Sequence, residues 1–238
     1  MDRLAFSDFL NWLGETLRPH YMPPNVLGGH DMVHVEGVLR LGERIFPHMP
    51  EVVPDEYRAA AWLHNLDRCL SLKDSVRKSG GAAGFALELL RRSPFSADSR
   101  ARIIDAVLQH SKKDDDLEND SLLLTALRIA DKLDRLTPMN VLAGAAHRSD
   151  LPHYDAETPF DYRRNKPNHL KYLLWNFEWY GMLPYDWARE LVDPDFFRLF
   201  LSFLRELGRD ISERHGIPNE IEAEIQSALG VYYERWRP

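Results

Sequence analysis

The stretch Ala59-Ala60-Ala61-Trp62-Leu63-His64-Asn65-Leu66-Asp67-Arg68 decides how the chain reads. A run of small apolar residues ends abruptly in an imidazole, an amide, a carboxylate and a guanidinium. Small apolar residues suit a central, closely packed helix. Pro54 fits the first turn of that helix, which is expected to run to about Arg68. Ending a buried helix in ligand-type side chains is one way to hold a site on a rigid element. Taken alone, the stretch reads more simply as a helix with a polar C-terminus. Its meaning depends on what the rest of the chain supplies.

Outward from this stretch the pattern stays helical. Residues 3–18 read as an amphipathic helix, with Leu4, Phe6, Phe9, Leu10, Leu13 and Leu17 at helical spacing. Pro23, Pro24, Gly28 and Gly29 break the chain, and Asp31 is placed to cap a helix reaching Ile45. That helix carries Val35, Val38, Leu39 and Ile45 near one face. It also contains Gly37 and Gly42, each less favourable than alanine by about 1 kcal/mol, so something packs closely there. A looser segment, Ser71 to Gly84, follows the central helix. Helices are then expected over Phe85–Arg92, from Ser96 or Asp98 to His110, and over Ser121–Leu136, where Thr137-Pro138 stops the last. The charged run Lys112 to Asp120 reads as a solvated loop.

Ser149 to Asn168 is polar, holds three prolines and reads as irregular. His169 to Met182 is an aromatic-rich helix. Asp193-Pro194 starts another that stops near Gly216, and a last helix follows Pro218. No run of alternating β-branched residues and no internal repeat occurs. The fold class is therefore all-α. The chain is expected to form one domain over 1–238, with helices from about 141 onward packed on the N-terminal bundle. A separate C-terminal subdomain from about 150 is the alternative.

With 238 residues, 44% apolar and 28% charged, the chain can bury a sizeable core without staples. A net charge of −7 argues against a nucleic-acid partner but leaves a small anionic substrate open. The single cysteine, Cys69, excludes an intramolecular disulfide and a cysteine-rich zinc site, and suits a reducing compartment. Met1-Asp2-Arg3-Leu4 does not open a signal peptide, and no stretch approaches the roughly 20 apolar residues of a membrane span. The expected location is cytoplasmic, with no membrane partner. Trp175, Phe177, Trp179 and Tyr180 read as core or pocket wall. Gly80-Gly81 with Gly84 lacks the Lys-Ser/Thr of a phosphate loop.

Three helices carry ligand-type side chains. One has His30 and His34, a turn apart on one face. The second has His64, Asn65 and Asp67. The third has Asp131 and Asp134 within Ile129-Ala130-Asp131-Lys132-Leu133-Asp134-Arg135-Leu136. A carboxylate following an apolar run needs a partner or a metal to offset its desolvation. Imidazoles and carboxylates from several helices are how a helical bundle builds a metal site in its core. Periodicity alone does not separate that reading from satisfied core histidines.

The order and setting of these residues resemble the HD-domain metal-dependent phosphohydrolase superfamily. That pattern has a first His on a helix, a His-Asp pair ending an apolar helix, and a distant Asp ending another. His34, in Gly29-His30-Asp31-Met32-Val33-His34, matches the first. His64 matches the histidine of the pair, and Asp131, in Ala130-Asp131-Lys132-Leu133-Asp134, matches the distal aspartate. His110-Ser111 resembles a His-Ser element that recurs between them. The resemblance covers about residues 25–140, and the C-terminal third is similar only loosely to the helical tail of a small-hydrolase branch.

The resemblance implies an HD-domain-like helical bundle with additional C-terminal helices. It implies a metal-dependent phosphohydrolase acting on a small phosphorylated compound, nucleotides included. The cofactor is a divalent metal ion, with Mn, Fe, Zn, Mg and Ni all open, and a homodimer is an allowed assembly. The implied metal ligands are His34, His64, Asn65 and Asp131. The departure is Asn65, which stands where the family has the aspartate of the pair. An amide oxygen coordinates weakly, and its NH₂ is a donor where the family has an acceptor. His34, His64 and Asp131 by themselves resemble a two-His, one-carboxylate set suited to zinc or iron(II).

Asp67 follows His64 by three residues, about 60° round a continuing helix, and is a candidate for the missing carboxylate. The plainer reading is an ion pair with Arg68 or Arg135. In the hydrolase reading a bound cation brings the pKa of its water toward about 7. Asp67 or Asp134 accepts a proton, and Arg68 and Lys132 neutralise the phosphate. His110, and less directly His30, touches substrate. Two further readings stay open: a degenerate metal- or ligand-binding protein without turnover, motivated by Asn65, and iron-dependent oxygenase chemistry.

Overall fold

The computed structural model describes residues 5–27, 29–112, 120–147, 150–164 and 166–237, with 145–147 as backbone. Among these residues every regular element is helical, and an isolated bridge pairs Val26 with Cys69. The chain divides into two compact units, Met1–Asp134 and Arg135–Pro238. Leu4, Gly28, Ser149 and residues 113–119 of the charged run lie outside the described residues.

The first unit contains α1 (Phe6–Leu17), α2 (Met32–Ile45), α3 (Pro54–Leu63), α4 (Lys73–Lys78), α5 (Ala82–Leu90) and α6 (Ala97–Gln109). It also holds α7 (Leu122–Arg135) up to Asp134. The central helix is α3. Pro54 occupies its first turn, and Asp55 and Glu56 follow there, where the helix dipole favours carboxylates. Every residue from Ala59 to Leu63 is buried, and α3 packs against α1, α2 and α6. Glycines on the neighbouring helices allow the approach. A Cβ on Gly14 of α1 would lie 2.9 Å from Trp62 Cζ2, and one on Gly42 of α2 would lie 2.4 Å from Tyr57 Cε1. Tyr57 is itself held by donating to the Val38 carbonyl at 2.7 Å. On the other side Arg102 of α6 grips buried Glu56 through two nitrogens.

Helix α3 stops at Leu63, five residues before the expected end at Arg68. The reason is local. His64 Nδ1 donates to the Ala61 carbonyl at 2.7 Å, the acceptor that a continuing helix would offer to the Asn65 N–H. Asn65 then leaves helical geometry (φ −114°, ψ 24°), and Leu66–Arg68 forms a short 3₁₀ turn. Helix α7 is buried without a break from Leu123 to Ala130, as its apolar run requires.

The second unit contains α8 (Pro138–His147), α9 (His169–Gly181), α10 (Asp186–Glu190), α11 (Pro194–His215) and α12 (Ile221–Leu229). Asn168 caps α9, and Asp193 caps α11. Gly216, at φ +62°, ends α11 in the left-handed conformation that glycine adopts without strain. Helix α9 packs against α8 and α12, with an aromatic core of Phe177, Tyr180, Phe197 and Phe200 around Trp236. Phe177 and Tyr180 are thus core, while Trp175 and Trp179 are part-exposed. The short α4 and α10 do not show in the sequence pattern. They run for six and five residues, too short for an apolar period to show.

Candidate metal centre

Three helix ends or faces converge in the first unit. On α2, Asp31 caps as expected, accepting from the backbone N–H of Val33 at 3.0 Å and of His34 at 3.3 Å. The cap starts the helix so that His34 falls on the inward face beside Val35 and Val38, fully buried. His64 closes α3 and is 1% exposed. Asp131 sits on α7 with its side chain 18% exposed. One ligand atom from each of His34, His64 and Asp131 lies within 4.8 Å of the other two.

The hydrogen bonds say which ring nitrogen faces the centre. His64 Nδ1 meets a carbonyl oxygen, so it carries the proton. His34 Nδ1 lies 2.7 Å from Asp134 Oδ2, a carboxylate, so it carries the proton as well. When each ring is neutral its lone pair is therefore on Nε2. The two Nε2 atoms are 3.1 Å apart, and Asp131 Oδ1 is 3.2 Å from His34 Nε2. Two lone pairs and a carboxylate pointing at one another repel unless a proton or a cation lies among them. Metal–nitrogen bonds of about 2.0–2.1 Å in a tetrahedral shell place ligand atoms about 3.3 Å apart. These two edges fit that spacing and the third is within 4.8 Å, so the residues present suit a divalent cation.

The electrostatics keep the His64 imidazole in the ligand form. Burial pushes His64 well below the usual histidine range, and the neighbouring His34 and His110 push the same way against the pull of Asp131. Burial also lowers His110, opposed by Asp131, the Val107 carbonyl and Asp67. A histidine must be neutral to ligate.

Asn65 is 2% exposed, with Nδ2 2.6 Å from His64 Nε2. In this orientation its N–H caps the His64 lone pair. A half-turn of the amide would present Oδ1 to the same place. His110 closes α6 as His64 closes α3, with Nδ1 donating to the carbonyl three residues back, Val107, at 2.7 Å. Its ring centroid is 5.2 Å from that of His64, and the His30 ring is 5.9 Å from that of His34.

Asp67 is half exposed and pairs with Arg68 at 3.3 Å. Because α3 has ended, the helical extrapolation that placed Asp67 beside His64 does not apply. Its charge is nevertheless felt at His110. Lys132 is part-buried next to Asp131. Asp134 lies at the Nδ1 edge of His34, away from the converging Nε2 atoms, and is 3% exposed. Its reading as a proton acceptor for attacking water gives way, because the His34 ring stands between it and the centre. Periodicity gives no sign of the Ala61 carbonyl or of the group that faces Gly37. The signal for Gly37 was present, as a glycine in the interior of a helix.

Residues 32–136 match the family model described as HD domain. No curated protein sequence matches the chain significantly. Among solved structures, the chain is similar to a Lactobacillus plantarum protein determined by crystallography as a structural-genomics target. The TM-score is 0.60 at 17% identity, over 86% of this chain and 97% of that one. At that identity the likeness is one of fold.

Proposed function

Because residues 32–136 match the HD-domain family model, we propose that this chain is a metal-dependent phosphohydrolase acting on a small phosphorylated compound, with nucleotides the first class to test. The observation that carries the reading is the convergence of His34, His64 and Asp131, whose ligand atoms lie within 4.8 Å of one another. When bound there, a divalent cation supplies Lewis acidity toward a phosphoryl oxygen and a water of lowered pKa.

The protein's own groups do the rest. His34 and His64 present Nε2 lone pairs because each Nδ1–H is already donated. Asp131 adds a negative charge and keeps partial access to solvent. In this reading Arg68, four residues after His64, and Lys132, adjacent to Asp131, meet the phosphate. His110, neutral beside His64, is a substrate contact, and Asp67 is the carboxylate left at the exposed side to take a proton. His30 contributes beside His34.

A second reading, a binder without turnover, is favoured by one observation: Asn65 puts an amide where the family has a carboxylate, and its N–H caps a ligand lone pair. Metal per chain, measured after purification without chelator, tests the shared part. Phosphate release from phosphomonoesters and nucleotides with added Mn²⁺, Fe²⁺, Zn²⁺, Mg²⁺ or Ni²⁺ separates the two. Expected are near-stoichiometric metal, turnover of at least one substrate, and loss of both in His34→Ala and Asp131→Ala. Metal without turnover on any substrate selects the binder. Metal retention unchanged in both variants rejects the site.

A further inference from the structure

We propose that Asp134 is a positioning residue for His34, and that Gly37 is the gap in α2 that admits its carboxylate. The proposal rests on the reading of His34 as a metal ligand. Asp131 and Asp134 are three residues apart on α7 and so share a face. They take the two edges of one imidazole. Asp131 Oδ1 lies 3.2 Å from Nε2, and Asp134 Oδ2 lies 2.7 Å from Nδ1. Accepting the Nδ1–H fixes the tautomer, holds the ring plane and makes Nε2 a stronger donor to a cation. Asp134 thus acts through His34 and not on substrate.

The space for this carboxylate exists because residue 37 has no side chain. A Cβ on Gly37 would lie 1.8 Å from Asp134 Oδ1 and 2.6 Å from its Cγ. The backbone does not call for glycine there. Gly37 is inside α2 and is absent from the residues with positive φ, and glycine in a helix interior is unfavourable. Close approach of a buried charged group is the reason left. Gly37 also follows His34 by three residues, so the gap and the imidazole are on one face of α2. Helix α2 therefore supplies both the ligand and the room for the group that orients it.

The test uses the full-length chain in two states. In the metal-free protein, ¹H–¹⁵N spectra of histidine-labelled samples should show a low-field Nδ1–H resonance, assigned by its loss in His34→Ala. It should vanish or move upfield in Asp134→Ala and in Gly37→Ala. Cobalt(II) titration followed by its visible absorption should show affinity falling about 10–100-fold in each variant. Asp134→Asn, which keeps an acceptor, should fall less. The double variant Gly37→Ala/Asp134→Ala should fall no further than Asp134→Ala alone, because the new methyl group fills space already vacated. It also keeps the question answerable if Gly37→Ala does not fold. An unchanged resonance and affinity in Gly37→Ala, or losses that multiply in the double variant, would overturn the proposal. If wild type binds no cobalt, the metal reading fails, and the metal-free spectra still decide whether Asp134 holds His34 through the gap at Gly37.

Discussion

Acidifying the metal-free protein from about pH 7 to pH 5.5 should destabilise it through His64. The side chain is 1% exposed, and burial is the largest cause of its lowered pKa, with His34 and His110 adding to it. In the unfolded chain the same group titrates near 6.5. Below that pH the unfolded state binds a proton that the folded state refuses. Stability therefore rises with pH in this window, and is lost as pH falls from about 6.5 toward the folded-state pKa. For one histidine that stays neutral when folded, the loss between pH 7 and 5.5 is about 1.3 kcal/mol. His110 is lowered too, so it adds a smaller loss of the same sign. Urea unfolding in the presence of a chelator at three pH values would show it, as a midpoint drop of about half a molar for the step that exposes His64. Most carboxylates titrate below this window. His64→Asn should remove the His64 part of the slope. A wild-type slope of zero, or the same slope in His64→Asn, would refute the picture of His64 as a buried neutral ring.

Two further outcomes follow from the same geometry. Asn65→Asp should tighten metal binding tenfold or more while lowering the stability of the metal-free protein, because a charge replaces an amide that is 2% exposed. Calorimetric titration and melting with and without chelator read both effects, and weaker binding would mean that residue 65 does not face the ligands. Gly42→Ala places a methyl 2.4 Å from the Tyr57 ring, which is fully buried and tied to Val38. Overpacking of that kind costs about 1–3 kcal/mol, against about 1 kcal/mol regained in helix propensity. A fall in melting temperature is expected, and a rise would show that α2 and α3 are not pressed together there.

Local pattern carried the helical class, the cap at Asp31, the start at Asp193-Pro194 and the three stretches that hold His34, His64 and Asp131. These were legible because apolar period, capping and proline placement act within a few residues. The glycines of α2 also announced a close contact, though not its partner. The end of α3 was misplaced because His64 competes for the Ala61 carbonyl with its own side chain, a choice that periodicity does not record.

Tertiary structure alone decided the roles. His34 meets His64 across 30 positions of chain and Asp134 across 100. Those pairings determine which nitrogen carries a proton, which lone pairs converge, and which of two similar aspartates reaches the centre. A helix presents Asp131 and Asp134 on one face whatever surrounds it. Only the imidazole lodged between α2 and α7 makes one of them a candidate ligand and the other its support.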